Sequence, residues 1–80
     1  MSVTYHVVVY FDRDDEGDLE AGEARETPNA LAAERAARHL ARLHAGAIAF
    51  SRTGDPSTGD FEDARIVAQF GAVDLDALSA

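Results

Sequence analysis

Residues 12–23, "DRDDEGDLEAGE", hold the densest set of groups in this chain that could do chemistry. Asp12, Asp14, Glu16, Asp18 and Glu23 fall close to the oxygen-ligand spacing of a calcium loop, with Gly17 at the sharp turn and Leu19 as the apolar anchor. Carboxylates so spaced can converge on a hard divalent cation, which makes the loop a candidate cation-responsive site. Its setting departs from that motif. A strand-like run precedes it, Glu stands at the fifth position, and Gly22 and Pro28 spoil an exiting helix. The competing reading is a solvated acidic loop that keeps a β-rich edge soluble.

The stretch "SRTGDPSTGD" at 51–60 has the look of a phosphate loop. It lacks the glycine spacing and lysine of a P-loop, and a strand follows it rather than a helix N-terminus. Ser51 has no nucleophile-elbow context. His6, His39 and His44 have no histidine or cysteine partner three or four residues away that would make a metal pair. A small enzyme would have to use His6 or His44 with a carboxylate brought in by folding. With no catalytic constellation in the sequence, the chain reads as non-enzymatic and without a cofactor.

The elements that must position these groups are clear in outline. "VTYHVVVYF" at 3–11 is β-branched and aromatic, the strongest strand of the chain. Its alternation predicts Tyr5, Val7, Val9 and Phe11 toward the core, and His6, Val8 and Tyr10 on the outer face. Residues 21–26 form a weak second strand. Thr27 as N-cap and Pro28 at the first helical position open a helix over about 28–44, which Gly46 ends. Its apolar stripe is Ala33, Ala36, Ala37, Leu40 and His44. Arg35, Arg38 and Arg42 lie opposite with Glu34, and Glu34–Arg38 is an i,i+4 pair.

Residues 47–53 and 61–70 read as two strands joined by a self-sufficient turn. Asp55-Pro56 opens a type I turn and Gly59 supplies the left-handed residue of a bulge. Pairing Thr53 with Phe61 sets Phe50 opposite Ala64 and Ile48 opposite Ile66, with Arg52 facing Glu62. That register collects Ile48, Phe50, Ala64, Ile66, Ala68 and Phe70 on one face and leaves Val67 on the outer one. Asp74 is placed to cap a short C-terminal helical turn. The first strand is expected beside the last.

The chain has 80 residues, no cysteine, no lysine and a formal net charge of −8. Residues 1–80 therefore read as a single compact α+β domain with a small core, without disulfides or a thiolate centre. The fold class is a two-layer sandwich, one main helix on a 3–4-stranded antiparallel sheet in the order β-(β)-α-β-β. The negative charge argues against nucleic acid and anionic membrane as partners. The N-terminus has neither a basic leader nor an apolar run long enough to span a bilayer, so the expected location is the cytoplasm. Alanine and arginine without lysine point to a GC-rich genome.

The block "GAIAFSRTGDPSTGDFEDARIVAQFG", behind its Ala/Arg helix, resembles small uncharacterised bacterial proteins of about this length. The resemblance covers most of the chain and implies no activity. "YHVVVYFDRDDEGDLEA" followed by a helix is similar in layout to HicB-type antitoxins. It lacks their Pro-Gly-Cys-like segment and a DNA-binding tail. That layout implies a binder of a basic protein.

The reading that follows is a small protein-interaction module, with a protein partner or a second copy of itself in a possible homodimer. Its expected working surface is the half-apolar outer sheet face of His6, Val8, Tyr10 and Val67, together with the Arg35, Arg38 and Arg42 stripe. The alternatives are the cation-responsive loop and the antitoxin-like binder.

Overall fold

The computed structural model describes residues 1–78. One helix, α1 (Ala30–Leu43), packs against a curled antiparallel sheet. The strands are β1 (Val3–Arg13), β2 (Leu19–Thr27), β3 (Gly46–Asp55), β4 (Asp60–Phe61) and β5 (Arg65–Gly71). β1 lies between β2 and β3, and both β4 and β5 pair with the far side of β3. A 3-10 turn, Leu75–Leu78, follows, with the Asp74 carboxylate accepting the Asp76 N–H at 3.0 Å.

β1 is thus central, beside β3 rather than beside the last strand. Both of its faces are apolar, so it is best placed where neighbours and packing cover both. The last strand carries exposed Arg65 and Gln69 and tolerates an edge.

The helix covers the face of β1 opposite to the one its alternation suggests. Val8 is fully buried with Ala33, Ala37, Ala47 and Ala49, and Tyr10, Val67 and Phe70 pack around them. The expected bare face of Val8, Tyr10 and Val67 is therefore the helix-bearing face. Small residues decide this. Ala33 and Ala37 of the helix seat on Ala47 and Ala49 of β3, so helix and sheet approach closely. The bulkier side, Val9, Phe11 and Ile48 with Val7, Leu19, Phe50 and Val73, forms a second apolar cluster on the sheet's other face.

The hairpin register also differs. Gly54 pairs with Phe61, Phe50 with Ile66, and Ala47 with Phe70. Residues 62–64 leave the ladder, and an irregularity between Ala49 and Phe50 inserts Val67. The extra residue reverses the alternation, so Ala68 and Phe70 turn toward the helix while Phe50 and Ile66 stay on the other face. The turn itself forms as its residues dictate. Gly59 has φ +77°, its N–H reaches the Asp55 carbonyl at 2.9 Å, and the Asp55 carboxylate takes both the Ser57 N–H and hydroxyl.

The helix start moves by two residues from the sequence reading. Asn29 is the N-cap, its side chain accepting the Ala32 N–H at 2.8 Å. Thr27 is taken by β2, where its hydroxyl donates to the His6 carbonyl. At the other end His44 is the C-cap in extended backbone, and Gly46 opens β3.

Candidate functional site

Because α1 starts at Ala30, the helix leaves one end of its sheet face uncovered. A groove of about 440 Å³ lies there. Its floor consists of two cross-strand pairs of β1 and β3, Thr4 with Thr53 and His6 with Ser51. The Thr4 and Thr53 hydroxyls are 2.8 Å apart, and His6 Nδ1 lies 2.7 Å from Ser51 Oγ. Ala30 of the helix and the 62–65 segment supply its sides, with Glu62, Asp63 and Arg65 contributing charge.

A serine–histidine pair invites comparison with acyl-transfer chemistry. That chemistry needs a carboxylate to orient the imidazole and donors placed for an oxyanion. Among the described residues no carboxylate hydrogen-bonds the His6 ring. The arrangement is a polar floor in which the imidazole and the hydroxyl hydrogen-bond each other.

A second histidine does meet a carboxylate. His44 Nδ1 and Asp12 Oδ2 are 2.7 Å apart, and Asp12 Oδ1 accepts the Ala45 N–H. The Tyr10 ring stacks on His44 with centroids 3.8 Å apart. The cluster sits where the end of β1 meets the end of α1, at the opposite end of β1 from the groove. It ties the helix C-terminus to the sheet.

The acidic loop is a hairpin turn. Asp14 Oδ1 accepts the N–H groups of Glu16 and Asp18, each at 2.9 Å, and Arg13 donates to the Gly17 carbonyl. Gly17 has φ +86°, which glycine alone adopts freely. Asp12 is turned to His44 and Glu23 lies within β2. Among the described residues no three His, Asp or Glu side chains come together to hold a metal ion.

The arginine stripe is partly engaged. Arg38 stands 5.0 Å over the Phe70 ring and 4.0 Å from Glu34, while Arg35 and Arg42 face solvent. No helix is long and apolar enough to cross a membrane among the described residues.

The sheet face without the helix is open at one end. The ladders place Tyr5 beside Arg52, and Val7 between Glu26 and Phe50, with Ile66 beyond Phe50. Phe61 joins them, its ring 6.1 Å from Tyr5 and beneath the Arg52 guanidinium at 5.8 Å. Ile66 is 41% exposed, and Val3 and Phe61 are each 37% exposed.

Comparison of the chain with protein-family models, with curated proteins and with solved structures gives no match. Two features escape a reading of the sequence, the His6–Ser51 pair and the Asp12–His44 pair. Their members are 45 and 32 residues apart. The signal that would reveal the first is the β1–β3 pairing, which aligns His6 with Ser51 directly.

Proposed function

We propose that the protein is a non-enzymatic interaction module that works by self-association. Each copy is a two-layer α+β unit, with α1 on one side of the sheet and a second copy docked on the other. The observation that carries this reading is the open end of the helix-free face. Tyr5, Val7, Phe50, Phe61 and Ile66 form one apolar and aromatic patch there, the composition enriched at the centres of interfaces.

Charge favours a second copy over a basic partner. The chain carries −8, yet between Val3 and Val9 this face bears one acid, Glu26, and one base, Arg52. A basic protein would find its complement on the acidic loop. A near-neutral patch with one charge of each sign suits a two-fold interface, where Glu26 of each copy can meet Arg52 of the other.

The molecule measures 42 × 24 × 16 Å, so the open half of its broad face is on the order of 500 Å², near the low end of specific interfaces. Association is therefore expected to be reversible and concentration-dependent. Sedimentation equilibrium tests it. The wild type should shift from monomer toward dimer as concentration rises, and Ile66→Asp should stay monomeric with unchanged circular dichroism. A wild type that remains monomeric throughout refutes the reading.

A further inference from the structure

The groove beside α1 lies on the opposite sheet face from the proposed interface and has a chemistry of its own. Its floor holds unspent hydrogen-bond donors. A neutral histidine and a serine have two donor hydrogens between them, and their mutual bond uses one. If Ser51 donates to Nδ1, the His6 Nε2–H is left; if Nδ1–H donates, the Ser51 hydroxyl is left. The Thr4–Thr53 pair likewise uses one hydroxyl hydrogen and spares the other. The tautomer decides which hydrogen is spared at the His6–Ser51 pair, but one is spared in either case. The floor therefore offers hydrogens to an acceptor.

The side of the groove carries both signs of charge. Arg65 stands directly across the ladder from Ser51 and lines the same groove, which brings a guanidinium within reach of a ligand on those donors. Glu62 and Asp63 line the same groove, and among the described residues neither forms an ion pair with Arg65. Opposite charges in one groove that do not neutralise each other remain available to a ligand. A purely anionic ligand would meet the two carboxylates, and a purely cationic one would meet Arg65. A ligand bearing both charges answers both. The volume, about 440 Å³, lies within the usual range of small-molecule sites.

From this juxtaposition we infer that the groove binds a small zwitterion of amino-acid type. Its carboxylate sits on the His6–Ser51 floor beside Arg65, and its ammonium faces Asp63 and Glu62. Carboxylate–guanidinium contact fixes the orientation, because such charge-assisted bonds are the strong ones.

The experiment is an amide-shift NMR titration of the full chain with the ω-amino acids from glycine to 6-aminohexanoate. Valerate and pentylamine serve as single-charge controls for 5-aminovalerate. Repeating the titration on Ile66→Asp separates this site from the self-association. At least one amino acid of the series should give saturable shifts at Thr4, His6, Ser51 and Arg65, and bind more tightly than either control. Arg65→Gln and Asp63→Asn should each weaken that binding about ten-fold, the scale of one charged hydrogen bond. Both side chains are exposed, so the amide spectrum of each variant should keep its dispersion. Absence of saturable shifts, binding by a control as tight as by the amino acids, or unchanged affinity in both variants overturns the inference.

Discussion

Single residues carry much of what holds this sheet in shape. Gly22 lies under the Tyr10 ring, and a Cβ built there would run into Tyr10 Cζ. Any other residue there must push the Tyr10 ring aside. Gly22→Ala should displace Tyr10 from its stack on His44 and destabilise the protein by about 1–3 kcal/mol, read by urea denaturation. Asp55 is the second case. The Ser57 hydroxyl, then the Ser57 N–H, hold its carboxyl below the ordinary 3.8. A lowered carboxyl contributes to the turn above its unfolded pKa, and that contribution fades as pH falls through the folded one. Carbon-detected NMR titration should place the Asp55 midpoint below 3.8, and Ser57→Ala should raise it toward that value.

At the scale of the elements, the helix depends on a cap and on small size. Asn29→Ala removes the acceptor for the Ala32 N–H and should cost about 1 kcal/mol. Ala37 is fully buried against the sheet, so Ala37→Leu overpacks the close contact and should cost about 1–3 kcal/mol, with a matching fall in thermal midpoint. The elements were largely legible in the sequence. The β-branched run of β1, the alanine-rich helix and the Asp55–Gly59 turn each form because local chemistry asks for them. The layer assignment was not legible. Both faces of β1 are apolar, and the choice between them is made by Ala47 and Ala49, which are weak hydrophobic signals but the right size for a helix of alanines. The hairpin register is already one residue off at Phe61, which pairs with Gly54 rather than Thr53, and it shifts again further along. An inserted residue at Val67 reverses alternation, and nothing in the local composition marks it. The groove was the least legible feature, since its floor is assembled from residues far apart in the chain.

The whole molecule combines a strongly negative charge with an almost uncharged apolar patch. Two copies that each carry −8 repel at long range, and salt screens that repulsion. Self-association should therefore strengthen as sodium chloride rises, visible as a larger weight-average mass in sedimentation. The central claim is that the helix-free sheet face is the surface one copy offers another. The most direct measurement is an isotope-filtered NOE experiment on a mixture of labelled and unlabelled chains. Intermolecular contacts among Tyr5, Val7, Phe50 and Ile66 are predicted. Intermolecular contacts confined to the arginine face of α1, or none at a concentration where the dimer should form, would contradict it.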